Sequence, residues 1–163
     1  MVVRRARTSD VRAIRRFIDT YADDRILLSK ATVTLYEDVQ EFWVAEYDGL
    51  LVGCGALHVM WEDLAEVRTL AVDPAMRGKG IGAAILRRLL DTARELGVRK
   101  VFCLTFEVGF FTAHGFHEID GTPVSHEVFE QLMRSYDEGV AEFLELERVK
   151  PNTLGNSRML LML

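Results

Sequence analysis

Asp73-Pro74-Ala75-Met76-Arg77-Gly78-Lys79-Gly80-Ile81-Gly82-Ala83-Ala84 is the stretch that decides the fold. Before it, Glu66–Val72 reads as a strand, closed by Asp73-Pro74 because the residue before a proline is pushed out of the helical region. After it, Ile81, Ile85, Leu86, Leu89, Leu90, Ala93 and Leu96 form one apolar stripe, and Gly97 suits the helix C-terminus. A strand thus runs through a glycine-rich turn with two cations into an amphipathic helix. The first N–H groups of that helix lack intrahelical partners, and the helix dipole makes this end positive. Gly78, Gly80 and Gly82 let an anion approach the backbone, and Arg77 and Lys79 add charge. The expectation is a site for phosphate or pyrophosphate over residues 77–83. A plain connector would not explain glycines that weaken the start of a strong helix. The kinase-type phosphate loop is excluded, since no Gly-Lys-Ser/Thr follows at its spacing. A dinucleotide fingerprint is a poor match, because the third glycine and the acid that follows it are missing.

Working outward, Val2–Ala6 reads as a first strand and residues 9–22 as a helix with Val11, Ile14, Phe17, Ile18 and Tyr21 on one face. A short helix is expected over Thr32–Gln40. Phe42–Tyr47 and Leu51–Val59 form a hairpin about Asp48-Gly49, and Trp61-Glu62-Asp63 turns the chain again. Beyond the long helix come a buried strand over Arg99–Phe106, a short helix over Val108–His114 closed by Gly115, and a strand over Phe116–Ile119. Ser125 caps a helix with Val128, Phe129, Leu132, Met133 and Tyr136 expected inward, and Phe143–Leu146 and Ser157–Leu163 read as the last strands. The pattern is an α/β domain. Its middle strands, joined through a helix, should be parallel.

The 163 residues carry no repeat or low-complexity segment, so a single domain over 1–163 is expected. Apolar residues make up 49% and charged residues 28%, which is globular composition. A formal charge of −5 argues against nucleic acid or an anionic membrane as partner. No apolar run is long enough to span a bilayer, and the N-terminus lacks a secretory pattern. Cys54 and Cys103 sit in apolar strand-like runs and read as reduced core residues, which points to a cytoplasmic protein. His114 and His117 flank Gly115 and are too few for a metal site, so no metal is expected.

Arg77-Gly78-Lys79-Gly80-Ile81-Gly82 resembles the Arg/Gln-x-x-Gly-x-Gly loop of the GNAT superfamily of acetyl-CoA-dependent N-acetyltransferases, and it follows a strand as in that family. Phe110-Phe111-Thr112-Ala113-His114-Gly115-Phe116 is similar to the family's aromatic helix ending in Gly-Phe. Arg4-Arg5-Ala6-Arg7-Thr8-Ser9-Asp10 matches its opening. Ile26-Leu27-Leu28, Val52–Leu57, Glu66 with Leu70–Pro74, Val101–Thr105 and Asn156–Leu160 are similar to the acetyltransferase domain of N-acetylglutamate synthases. The resemblance implies a GNAT fold, a mixed central sheet flanked by helices. It also implies a stand-alone amino-acid N-acetyltransferase that begins arginine biosynthesis, with glutamate or glutamine as acceptor. Other amines, such as a peptide N-terminus or a polyamine, and a non-catalytic acyl-CoA sensor are the rival readings. A homodimer is compatible with the exposed hairpin strands and apolar tail.

What the resemblance implies for individual residues follows from the chemistry of direct acyl transfer. Main-chain groups of Leu70, Ala71 and Val72 hold the pantetheine, residues Arg77 to Ala83 take the pyrophosphate, and the Leu70 amide stabilises the oxyanion. The acceptor ammonium must lose a proton, and Glu66, which stands where the family has its strand glutamate on the same strand as Thr69, is expected to be the general base, acting through water. A salt bridge between Glu66 and Arg68 is the other reading of that carboxylate. The family's tyrosine acid is missing, replaced by Phe110 and Phe111. Thr69 lines the acceptor side. Arg25 and Lys30 after the first helix, and Asn156, Ser157 and Arg158 in the tail, are the candidates for binding the acceptor carboxylate. Gly155 occupies the position of the synthases' arginine, which leaves glutamate and glutamine both open.

Overall fold

The computed structural model describes residues 1–22, 30–153 and 155–163. Its strands are β1 (Val2–Arg5), β2 (Phe42–Tyr47), β3 (Leu50–Trp61), β4 (Leu64–Val72), β5 (Lys100–Thr105), β6 (His117–Glu118) and β7 (Ser157–Met162). Its α-helices are α1 (Val11–Ala22), α2 (Thr32–Glu37), α3 (Ile81–Glu95), α4 (Val108–Ala113), α5 (His126–Leu132), α6 (Glu138–Phe143) and α7 (Lys150–Thr153). The seven strands form one sheet in the order β1-β2-β3-β4-β5-β7-β6. Only β4 and β5 run parallel; the other neighbours are antiparallel. The parallel pair is the one joined through α3, as a crossover requires.

Local chemistry sets these elements. The two-residue turn Asp48-Gly49 has both φ values positive (50° and 78°), the geometry that matches the twist of a tight hairpin. Asp10 accepts from the Arg7 amide (2.7 Å) and pairs with Arg4 (2.7 Å), which fixes the entry to α1. α3 ends at Gly97, φ 82°. α3 lies close against β3 because Gly53 and Gly55 lack side chains there. A Cβ at Gly55 would stand 2.9 Å from Ile85 Cγ2 and 3.1 Å from Leu70 Cδ1.

The sheet buries both faces. Ala65, Val67, Val101 and Cys103 pack with Ile85, Leu86 and Leu89 of α3 and Phe111 of α4. On the opposite face, Val44, Cys54, Ala56 and Ala71 meet Val11, Ile14 and Ile18 of α1, while Leu64, Phe102 and Leu160 meet Leu132, Val140 and Phe143 of α5 and α6. Cys54 and Cys103 are buried free thiols, and burial pushes the Cys54 thiol up to about 12.

Three sequence expectations are corrected. Phe143–Leu146 is not a strand: Phe143 ends α6, which Asp137 caps, and Leu144 continues its last turn. Met133 and Tyr136 do not face inward. α5 stops at Leu132, so the apolar periodicity outruns the helix and Tyr136 is fully exposed. The helix expected over Thr32–Gln40 divides into α2 and a 3-10 turn over Val39–Glu41.

Candidate active site

β4 and β5 pair only from Leu64–Glu66 to Lys100–Phe102 and then part. On the other side of β4, Cys54 pairs with Ala71 and Ala56 with Arg68, so Gly55 alone opposes both Thr69 and Leu70. This is a β-bulge, and Thr69 absorbs it at φ 55°, an unusual conformation for a β-branched residue. The bulge also shifts the side-chain alternation by one. Ahead of it, Glu66 and Arg68 point to the α6 side and Val67 to the α3 side. After it, Ala71 packs toward α1, and Leu70 and Val72 toward α3. The parted strands open a cleft of about 1340 Å³ that runs from Glu66 along β4 to the start of α3, with α4 and α6 on its far wall.

At one end of the cleft stands the glycine-rich turn. Gly78 and Gly80 have φ of 76° and 74°, Gly80 is the residue before α3, and nothing lies within 4 Å of a Cβ built on either. The first helical bond, Ala84 N to Gly80 O at 3.0 Å, leaves the amides of Ile81, Gly82 and Ala83 without intrahelical acceptors. Arg77 lines the same end, donates to the Tyr21 hydroxyl (3.1 Å) and lies over its ring. Tyr21 in turn donates to Val72 O (2.5 Å), tying α1 to the end of β4. Open amides, side-chain-free glycines and a cation together suit a diphosphate, so these residues fit coenzyme A.

At the other end lies a charge cluster. Arg68 and Glu66 are both buried, with Nε 2.6 Å from Oε2. Arg68 also donates twice to Asp137 (3.0 and 2.6 Å), and Asp137 Oδ1 accepts from Val140 N at the head of α6 (2.8 Å). Burial pushes Glu66 up, against the Arg68 charge. Burial, the largest single influence, pushes Asp137 up, but its hydrogen bonds to Arg68, the Arg68 charge and the Val140 amide together outweigh that and hold it at about 2. Glu142, in the last turn of α6, also lines the cleft. Burial first, then the Glu66 charge, pushes it to about 7.

Glu66, Thr69, Leu70, Ala71, Val72, Arg77, Gly78, Gly80, Ile81, Gly82, Ala83, Lys30 and Asn156 all line this cleft, so the structure brings most of the expected residues together. Lys79 is not among the lining residues; its ammonium lies 3.3 Å from Sδ of Met76, which does line the cleft. Ser157 donates to Glu118 (2.6 Å) outside it. Arg158 is the clearest correction. Its guanidinium donates to the carbonyls of Gly121 (2.9 Å), Glu142 (3.2 Å) and Phe143 (2.7 Å) and lies over Phe102, so it closes the end of α6 instead of facing an acceptor. Lys30 faces Asp38 at 3.6 Å. Arg25 lies outside the described residues. Among the described residues no group of three or more His, Cys, Asp or Glu is placed to hold a metal ion.

Sequence reasoning missed Tyr21, Asp137 and Glu142. Tyr21 was legible only as one member of the α1 apolar stripe. Asp137 and Glu142 lie about 70 residues from Arg68 in sequence, in the stretch between the expected helix ending near Tyr136 and the expected strand from Phe143.

Comparison with known proteins bears on this geometry. The model of the acetyltransferase (GNAT) family matches residues 10–120. The chain is 67% identical to a Mycobacterium tuberculosis protein named amino-acid acetyltransferase, over 99% of this chain and 94% of that protein. A Mycobacterium tuberculosis structure solved in complex with CoA and NLQ superposes with a TM-score of 0.97 at 66% identity, over 100% of this chain and 99% of that one. Neisseria gonorrhoeae N-acetylglutamate synthase, solved with coenzyme A and N-acetyl-glutamate, superposes with a TM-score of 0.78 at 24% identity. It covers 99% of this chain and 35% of the synthase, a likeness of fold.

Proposed function

The chain belongs to the GNAT acetyltransferase family, and from that premise we propose that it moves the acetyl group of acetyl-CoA to the α-amine of glutamate or glutamine, as the first step of arginine biosynthesis. One observation carries the reading. The parting of β4 from β5 puts the Leu70 bulge, the open end of α3 and a buried carboxylate cluster along a single cleft. That is the layout acyl transfer needs: a thioester between an anion-binding loop and a proton acceptor.

In this reading the amides of residues 81–83 and the Arg77 side chain take the diphosphate. The main chain of Leu70, Ala71 and Val72 holds the pantetheine. The Leu70 amide, where β4 has left β5, donates to the developing oxyanion. The amine lone pair forms the new C–N bond, the C–S bond breaks, and CoA leaves as a thiolate that takes up the proton shed by the nitrogen. α4 presents Phe110 and Phe111 where a tyrosine acid would stand, so solvent mediates that last transfer. Glu66 and Glu142 are the cleft carboxylates buried enough to receive the acceptor's first proton. Lys30 and Asn156, which line the same cleft, take the substrate carboxylate in this reading.

A second reading has an observation in its favour. With Arg158 withdrawn and Arg68 neutralised by two carboxylates, the acceptor end is lined by Glu66, Asp137, Glu138 and Glu142. Such a lining also suits a polycationic amine. A homodimer and a cytoplasmic site of action go with the amino-acid reading; Tyr47, Leu50 and Val59, exposed on the hairpin strands, are apolar surface that a dimer contact would cover.

The test is thiol release from acetyl-CoA across a panel of amino acids and polyamines. Turnover with glutamate or glutamine is expected. Turnover confined to polyamines would replace the substrate class, and CoA binding without turnover on any amine would leave an acyl-CoA sensor.

A further inference from the structure

The carboxylate nearest in kind to the family's strand glutamate is not the one best placed to accept a proton. Glu66 is engaged: its Oε2 accepts from Arg68 Nε at 2.6 Å, and the pair is buried. Glu142 is 6% exposed, lines the same cleft, and among the described residues its carboxylate has neither a hydrogen-bond donor nor an ion-pair partner. A largely buried carboxylate that opens onto a cleft with no charged partner of its own is the kind of group that collects where a protein needs it for chemistry.

The backbone around Glu142 is held on every side. Asp137 caps α6 at one end, and Arg158 takes the Glu142 and Phe143 carbonyls at the other. Val140, Ala141 and Phe143 are buried. The side chain is thus presented to the cleft from a fixed helix turn, next to the Glu66–Arg68–Asp137 cluster. This inference rests on the acyl-transfer reading above.

We propose that the Glu142 carboxylate takes the proton from the acceptor ammonium, and that Glu66 acts behind it as a positioning residue that fixes Arg68. The proton passes from the ammonium nitrogen to a Glu142 carboxylate oxygen and leaves a neutral amine. The amine then attacks the thioester carbonyl as described. Protonated Glu142 returns its proton to solvent after CoA departs. The facing groups make the poise physical. Burial and the charges of Glu66 on β4 and of Asp137 and Glu138 at the head of α6 raise Glu142, and Arg68 lowers it, leaving it at about 7. A base poised near the working pH is the most effective kind.

The experiment is the pH dependence of kcat and of kcat/KM for the parent, Glu142→Gln and Glu66→Gln. Calorimetric CoA binding serves as the check that each variant is folded. Glu142→Gln is expected to bind CoA like the parent, to lose kcat by about 100-fold or more, and to lose the acidic limb near neutrality. Glu142→Asp should keep that limb at reduced kcat. In Glu66→Gln the limb should persist at a pH no higher than in the parent, because the charge removed is one that raises Glu142. A Glu142→Gln enzyme with parental kcat and an intact limb overturns the proposal, as does loss of the limb in Glu66→Gln alone. Any amine that the parent turns over can serve as acceptor. A failed glutamate reading is therefore seen in the parent, whereas a failed Glu142 assignment is seen only between variants.

Discussion

Arg68 on β4 holds Asp137 at the head of α6 by two hydrogen bonds, Nη1 to Oδ2 at 3.0 Å and Nη2 to Oδ1 at 2.6 Å. The same Asp137 oxygen caps α6, and the same guanidinium reaches Glu66. The backbone of α6 lies directly on this guanidinium, so closely that a Cβ on Gly139 would overlap it. One bidentate pair therefore joins the sheet to the helix that carries Glu142, and fork-to-fork geometry makes the join directional as well as attractive.

Asp137→Ala should lower the unfolding free energy by on the order of 3 kcal/mol, since it removes a helix cap and leaves a buried guanidinium one partner short. Asp137→Asn, which keeps the cap, should cost less. The acid side has a definite sign. Asp137 is held at about 2 against an ordinary 3.8, so its contribution is present above about pH 4 and is lost as the pH falls toward 2. Urea unfolding at pH 7 and pH 3 checks both, and equal acid sensitivity in parent and Asp137→Asn would remove the ion pair from the account.

Glu142 makes the opposite contribution. Its carboxyl is raised to about 7 from 4.5, so the folded state holds a proton that the unfolded state has released. The group is neutral to stability below about pH 4.5 and increasingly unfavourable as the pH rises through 7, by a limit of about 3 kcal/mol. Glu142→Gln should match the parent at pH 4 and exceed it in Tm at pH 8. Parallel Tm profiles for the two proteins would show that the carboxyl is not raised.

The glycine-rich turn should be sensitive to backbone substitution more than to loss of Lys79. Gly78→Ala and Gly80→Ala force φ values of 76° and 74° on residues with a Cβ, and each is expected to weaken CoA binding about tenfold or more. Arg77→Ala should weaken it comparably, while Lys79→Ala, whose ammonium rests on Met76 and is not among the lining residues, should change it less than threefold. Calorimetry with CoA separates these outcomes.

Arg158→Ala should reduce stability and leave the acceptor KM close to that of the parent. Its guanidinium satisfies carbonyls of Gly121, Glu142 and Phe143, and their loss of a charged donor in a half-buried place is worth about 2–3 kcal/mol. A raised acceptor KM with unchanged Tm would return Arg158 to the substrate.

The order of elements was readable because local rules govern it. Asp48-Gly49 announces its hairpin, Ile81 to Leu96 announces its helix, and the cationic glycine turn between β4 and α3 announces an anion site. Those rules conflict in the tail: Phe143–Leu146 is apolar enough for a strand, yet Asp137 starts a helix that ends at its first residue, Phe143. Arg158 reads in sequence as available charge, and only folding brings its guanidinium onto the carbonyls of Gly121, Glu142 and Phe143.

The sequence by itself determined the α/β architecture, the family resemblance and the glycine-rich turn at one end of the cleft, because strand and helix periodicity and a glycine turn are properties of neighbouring residues. Tertiary structure alone decided which buried cleft carboxylate has no partner among the described residues. That outcome depends on a bulge at Thr69 and on α6 landing over Arg68, which joins groups some seventy positions apart. Burial and charge act through space, so a side chain's proton affinity is not written in its neighbours along the chain.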